Sequence, residues 1–203
     1  MKNIAKYLCI AGLLGALCGC RNSQPEEVLT WKPEGKVLIV CYSESGNQNT
    51  LTVANWIQEL TGGSLHQIKM KTPYSKDYRA VLKESKHHID NKISPEILPF
   101  GEDVKDYDII FIGSPVWYGT FAPPMGTFLK QHDFSGKTVI PFCTHGGGGA
   151  GKLYDDLKTA IPGAKILPGL TVKGSNIVER TIGRGTKSKA SKDEVIRHLN
   201  NIK

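Results

Sequence analysis

Three short stretches of this chain hold residue types from which a ligand site can be made. The first is Tyr42-Ser-Glu-Ser-Gly-Asn-Gln-Asn-Thr50, placed directly after the apolar run Val-Leu-Ile-Val-Cys that ends at residue 41. Where a buried strand passes through hydroxyl and glycine residues into a helix, backbone N–H groups point outward and the helix dipole favours an anion. Ser43, Ser45 and Thr50 add hydroxyl donors, so the expected occupant is a phosphate. The second stretch, Ser114-Pro-Val-Trp-Tyr-Gly-Thr-Phe121, sets adjacent aromatics where a loop would ordinarily be polar. The third, Thr144-His-Gly-Gly-Gly-Gly-Ala-Gly151, offers backbone that a ligand can approach closely. One stretch grips phosphate, one supplies a flat aromatic surface and one supplies bare backbone. Together they suit a flat aromatic ligand that carries a phosphate.

Taken singly, each stretch also has an ordinary reading. Ser45-Gly46-Asn47 is a turn and helix cap, Trp117 and Tyr118 are packing aromatics, and the glycine run is a loop. What separates the readings is the scaffold that carries them. Residues 37–42, 107–113, 137–144 and 165–170 are short apolar runs rich in β-branched side chains, the pattern of strands buried on both faces; residues 64–70 read as a shorter edge strand. Between them lie helical stretches at 50–60, 78–90, 125–131 (started by Pro123 and Pro124) and 152–160, with 192–202 closing the chain. Strands alternating with helices predict an α/β fold with a doubly wound parallel sheet and right-handed crossovers. In such sheets ligands sit beyond the carboxyl ends of the strands, where the strand order reverses. All three stretches follow such strand ends.

Other chemistries find less support. The chain has 203 residues and a formal charge of +7, and its basic residues are scattered apart from one cluster within 180–192. Nucleic acid is therefore not an expected partner. No CxxC or CxxCH occurs, and Cys41 and Cys143 read as small apolar filler at the ends of two strands. His87 and His88 are adjacent on a polar helix, so their side chains diverge and no metal site is expected. Lys152 follows the glycines, but Leu153 breaks the phosphate-loop pattern GxxxxGK[ST].

Residues 1–20 form a separate unit. Lys2 and Lys6 give a basic start, residues 7–17 a short apolar core, and Leu17-Cys-Gly-Cys20 resembles the lipobox of bacterial lipoprotein signal peptides. The resemblance implies cleavage before Cys20, lipidation of its sulfur and amino group, and export to the cell envelope with the domain held to the membrane by its acyl chains. Residues 21–34 read as a tether in which Trp31 packs on the domain edge, leaving 35–203 as the domain.

The domain resembles the flavodoxin-like FMN-binding family, in the bacterial branch with Trp-Tyr/Trp-Gly-Thr and Cys-Thr-x-Gly-Gly loops. The matching pieces are 40–47, 53–57, 107–120, 123–124, 128–129 and 136–147. The resemblance implies a five-stranded sheet in the order 2-1-3-4-5 and FMN as cofactor. By position, Ser43, Ser45, Gly46, Asn47 and Thr50 would bind the phosphate. Gln48 and Asn49 stand between Asn47 and Thr50 like a short insertion, leaving Asn47 and Asn49 as alternative occupants of one family position. Pro115, Val116, Trp117, Tyr118, Gly119 and Thr120 would line the flavin ring, with Trp117 or Tyr118 stacking on it. Thr144, His145, Gly146, Gly147 and Gly148 would face its pyrimidine side. No protein side chain is expected to be catalytic, because a flavin carries the chemistry itself. The expected function is an electron carrier serving a redox partner protein, or an oxidoreductase using NAD(P)H and a quinone-like acceptor. A flavin-free scaffold that kept the fold is the alternative.

Overall fold

The computed structural model describes residues 27–44, 46–174 and 192–202. The lipobox with Cys20, Ser45 and most of the basic cluster lie outside the described residues. Strand β1 (Val37–Tyr42) is buried along its whole length. Its side chains alternate between two cores. Leu38, Val40 and Tyr42 face one, while Val37, Ile39 and Cys41 face the other. Helix α1 (Asn49–Thr61) follows and closes on Gly62, whose N–H bonds the Gln58 carbonyl at 2.8 Å. Strand β2 (Ser64–Ile68) precedes helix α2 (Tyr78–Asp90), which the Asp77 carboxylate caps by accepting from the Ala80 N–H at 2.9 Å.

Strand β3 (Ile109–Trp117) pairs briefly with β4 (Thr120–Phe121), and helix α3 (Pro123–Gln131) starts on its two prolines. Next come β5 (Thr138–His145), α4 (Leu153–Ala160), β6 (Lys165–Ile166), β7 (Leu170–Lys173) and α5 (Lys192–Asn201). Met125, Phe128 and Leu129 of α3 cover one face of the sheet; Val53, Ala54 and Ile57 of α1, with Val195 and Leu199 of α5, cover the other. Each fully buried large apolar side chain contributes about 1.5–3 kcal/mol to folding.

The parallel order is β2-β1-β3-β5-β6, with β7 also on β5 and β4 antiparallel to β3. This is the doubly wound α/β arrangement, with β2 at an edge as expected. The sheet has seven strands rather than five, for two local reasons. The expected strand 165–170 is split because Pro168 has no N–H for the ladder, so β6 pairs the start of β5 and β7 its end. The added β4 arises because β3 runs on to Trp117, past the expected end at residue 113, and folds back as a hairpin.

Within the expected tether, Thr30 and Trp31 donate their N–H groups to Asn200 Oδ1 at 2.7 and 3.0 Å, and Asn200 Nδ2 donates to the Val28 carbonyl at 2.9 Å. Trp31 also packs edge-on against Phe111. No helix among the described residues is long and apolar enough to cross a membrane.

A second aromatic cluster yields a prediction about acid stability. His66 and His132 flank the Phe100 ring, at centroid distances of 4.5 and 5.2 Å. Burial lowers the pKa of both, and for His132 the charge of His66 lowers it further, against the opposing carboxylates of Glu102 and Asp103. Between the folded-state values and the unfolded value near 6.5, the folded protein binds fewer protons than the unfolded chain. The stabilisation is therefore complete above about pH 6.5 and is lost as pH falls through the lowered folded-state values. Urea midpoints at pH 7.5 and 5 should show this loss, and His132→Phe should flatten the dependence.

Candidate functional site

The three stretches singled out in the sequence meet at the carboxyl ends of β1, β3 and β5. The first turn between β1 and α1 has an unusual feature. Ser43 is 2% exposed, and its Oγ is the one buried side-chain polar atom among the described residues without a hydrogen-bond partner. A buried hydroxyl left in that state costs about 1–3 kcal/mol, so a donor of this kind gains from a ligand that can accept from it. Helix α1 begins directly beyond it with no side-chain cap and no acidic residue in its first turn. The positive end of its dipole therefore faces no carboxylate of the helix itself, a setting that favours an anion. Thr50, also buried, shares a 2.8 Å hydrogen bond with the Thr144 hydroxyl of β5. That bond consumes one of the two hydroxyl hydrogens and leaves the other to be donated. The donor set fits the phosphate of FMN.

Gln48 takes a left-handed conformation, φ 50°, and serves as the helix N-cap position. Asn49 is then the first residue of α1, and Asn47 lies in the turn before it. Gln67 of β2 secures this bend. Its Nε2 donates to the Ser43 carbonyl and, at 3.3 Å, to Gln48 Oε1. Gln67 escaped the sequence analysis; a long amide at the carboxyl end of an edge strand was the available signal. Gly46 lies exposed at the turn.

The second stretch is a hairpin rather than a loop. Tyr118 and Gly119, with φ of 50° and 82°, form a two-residue turn, and Trp117 pairs with Thr120 across it. Positive φ at both positions is the requirement of a tight hairpin turn, and glycine meets it at the second position. Ser114 Oγ closes the hairpin base by accepting the Ala122 N–H at 2.9 Å. Pro115 aligns with Thr144 of β5, and Val116 with Phe121 of β4. The two aromatics separate. Trp117 is half-buried, edge-on to Tyr42 and Tyr74 at 5.7 and 5.5 Å. Tyr118 is 50% exposed; its hydroxyl donates to the Leu82 carbonyl at 2.8 Å and Lys86 Nζ stands 5.7 Å from its ring centre. Tyr118 is therefore the ring with free surface at this rim.

The glycine stretch is organised by His145. Its Nδ1 accepts the N–H groups of Gly147 and Gly149, each at 3.0 Å, so Nδ1 is the unprotonated ring nitrogen. Gly146, Gly147 and Gly148 remain exposed, while the His145 carbonyl accepts the Gly174 N–H at 2.8 Å. The loop also locks onto the hairpin. The Lys152 N–H donates to the Gly119 carbonyl at 2.6 Å, and a Cβ at Gly151 would stand 2.5 Å from that same oxygen. Thus Thr50–Thr144 ties the first stretch to the third, and Gly119–Lys152 ties the third to the second.

Nearby thiols take no part. Cys41 and Cys143 are free and buried, and desolvation pushes the Cys41 pKa up to about 12 and that of Cys143 upward. Burial, followed by the Glu44 carboxylate that accepts its hydroxyl at 3.1 Å, raises Tyr42 as well. No cluster of metal-ligating side chains occurs among the described residues.

An open α/β sheet with an anion cradle at its strand ends, flanked by an aromatic hairpin and bare glycine backbone, defines a mononucleotide-binding protein of the doubly wound class. A family model described as Flavodoxin matches residues 36–183, and the chain belongs to this flavodoxin family. Comparison with curated protein sequences gives no significant match. Among solved structures, a candidate flavoprotein of Bacteroides eggerthii is 26% identical with a TM-score of 0.65, covering 81% of this chain and 94% of its own. One from Bacteroides uniformis is 28% identical with a TM-score of 0.63, over 74% and 99%. A flavoprotein of Lactobacillus acidophilus, solved in complex with FMN, is 29% identical with a TM-score of 0.57, over 72% and 97%.

Proposed function

We propose that this protein is an FMN-binding redox protein of the bacterial cell envelope, anchored there by lipid on Cys20. The observation that carries the FMN reading is the orphaned Ser43 hydroxyl in the turn that leads from β1 into α1. The similar Lactobacillus protein solved with FMN supports it. Bound FMN would supply one- and two-electron transfer. Ser43, Thr50 and the first-turn N–H groups of α1 would hold its phosphate. The Tyr118–Gly119 turn and the backbone of Gly146, Gly147 and Gly148 would flank its ring and limit water around it. By their positions in the sequence between Ser43 and Thr50, Ser45 and Asn47 would contribute to the same phosphate site.

The test is titration of the mature protein with FMN. Tight one-to-one quenching of flavin fluorescence is expected; an absence of binding would leave a flavin-free scaffold as the function. With FMN loaded, anaerobic mixing separates the two redox roles. Rapid bleaching by NADH or NADPH alone identifies an oxidoreductase, whereas bleaching that requires a partner protein identifies an electron carrier. Membrane anchoring is checked by metabolic labelling with a palmitate analogue. Cys20→Ser should abolish the label and release the protein from the membrane fraction.

A further inference from the structure

Two aromatic rings and an imidazole join the site at the strand ends to a cleft on the protein's surface. Trp117 immediately precedes the turn proposed to flank the flavin ring, and its indole meets the Tyr74 ring edge-on, with centroids 5.5 Å apart. Tyr74 is partly buried against the core and lines a cleft of about 600 Å³, where Glu84 and His88 of α2 stand beside it. Its Oη lies 2.8 Å from His88 Nδ1. Indole, phenol and imidazole are thus in continuous contact from the site to the cleft.

Such a chain suits the passage of an electron, and its last link also provides for a proton. A phenol that gives up an electron becomes a strong acid, so its oxidation at neutral pH is favoured where a base takes the hydroxyl proton at once. His88 Nδ1 is that base when the ring hydrogen sits on Nε2. Burial, with the carboxylates of Glu84 and Glu44, raises the Tyr74 pKa, so the phenol keeps its proton until an electron leaves. Burial and the neighbouring His87 lower the pKa of His88, which keeps the imidazole neutral and able to accept. The Glu84 carboxylate opposes them, and it stabilises the imidazolium once formed. Tyr42, the other ring against Trp117, has no such partner. Its hydroxyl donates to the Glu44 carboxylate at 3.1 Å, and a carboxylate is ordinarily a far weaker base than an imidazole.

We propose that Trp117, Tyr74 and His88 form a relay that carries an oxidising equivalent out of the flavin site, with Tyr74 giving up the electron and His88 taking the proton. The proposal rests on the FMN reading above. The oxidant is the oxidised flavin excited by light. One electron passes from Trp117 to the flavin, and Tyr74 refills Trp117. The O–H bond of Tyr74 breaks as an N–H bond forms on His88 Nδ1. The products are a flavin with one added electron, a neutral tyrosyl radical and an imidazolium, and return of the electron and the proton restores all three. The relay moves the oxidised centre away from the flavin to the cleft wall, which limits photochemical damage at the site.

The experiment is laser-flash excitation of the FMN-loaded mature protein, read by transient absorption and, in samples frozen under illumination, by electron paramagnetic resonance. A neutral tyrosyl radical is expected, with resonance lines that narrow when the protein carries ring-deuterated tyrosine and with a slower rise in D₂O than in H₂O. Tyr74→Phe should abolish it, and Tyr42→Phe should leave it. His88→Ala should slow its formation by about tenfold, the equivalent of one lost hydrogen bond. Imidazole added to that variant should restore the rate, because the cleft is open to a molecule of that size. FMN affinity should stay within about twofold in all three variants, a shift too small to register as a lost hydrogen bond. Protein that binds FMN and forms no tyrosyl radical would overturn the proposal. So would a radical that survives Tyr74→Phe, or full-rate formation in His88→Ala. Failure to bind FMN would overturn the functional reading and the relay with it, an outcome distinct from bound FMN without a radical.

Discussion

Ser43→Ala is expected to stabilise the ligand-free protein by about 1 kcal/mol and to weaken FMN binding by about ten- to a hundredfold. The two effects have opposite signs because the hydroxyl is buried and unpartnered in the free protein. Removing it relieves a desolvation cost of about 1–3 kcal/mol. With FMN bound, the same hydroxyl would donate to a phosphate oxygen, and hydrogen bonds to charged groups are worth about 1.5–3 kcal/mol. Urea denaturation of the ligand-free variant and flavin fluorescence titration measure the two quantities separately. An unchanged FMN affinity would remove Ser43 from the phosphate site. Thr50→Val supplies the contrast. It strips the Thr144 hydroxyl of its 2.8 Å partner, so it should lower stability by about 1–3 kcal/mol even without ligand. A hydroxyl kept for a ligand alone and one that also serves folding are thus told apart by the sign of one measurement.

Gly151→Ala should be the most damaging single-methyl change at the site. The new Cβ would lie 2.5 Å from the Gly119 carbonyl oxygen and 2.7 Å from its Cα, both backbone atoms of a tight turn that no rotamer change can move aside. The residue also has φ of +59°, where a side chain adds about 1–2 kcal/mol of strain. Overpacking of this kind typically costs a further 1–3 kcal/mol, for a total of about 3 kcal/mol. In a domain of this size that lowers the melting temperature by about 6–12 °C. Relief requires the hairpin and the glycine loop to part, breaking the 2.6 Å bond from Lys152 to Gly119. FMN affinity should therefore fall together with stability, by about tenfold if half of that energy falls on the ring-flanking loops. Gly148→Ala is the control. A Cβ there meets nothing within 4 Å, and its melting temperature should hold within about 2 °C.

Much of this architecture was legible in the residues. The β-branched run of β1 and the apolar spacing along α1 define a strand buried on both faces and the helix that follows, because burial needs set those patterns locally. Pro123 and Pro124 mark the start of α3 for an equally local reason. The errors also have local causes. Pro168 divided what the apolar pattern showed as one strand, since composition conveys burial and not the supply of ladder hydrogen bonds. The stretch around Trp117 looked like a loop because its proline, glycine and aromatics conceal a tight hairpin turn.

The site divides along the same line. The sequence by itself determined that a phosphate-type turn, an aromatic pair and a glycine run follow the ends of three strands, because residue type and spacing carry that information. Only the tertiary structure decided what each residue does there. It turned Trp117 inward onto Tyr42 and Tyr74 while leaving Tyr118 at the surface, and it made His145 the anchor of the glycine loop. It also brought in Gln67 and Tyr74 from segments with no motif of their own. Above all, it left one hydroxyl, on Ser43, buried and without a partner. Whether a polar group is satisfied depends on atoms distant in the chain, and that is settled only when the strands are side by side.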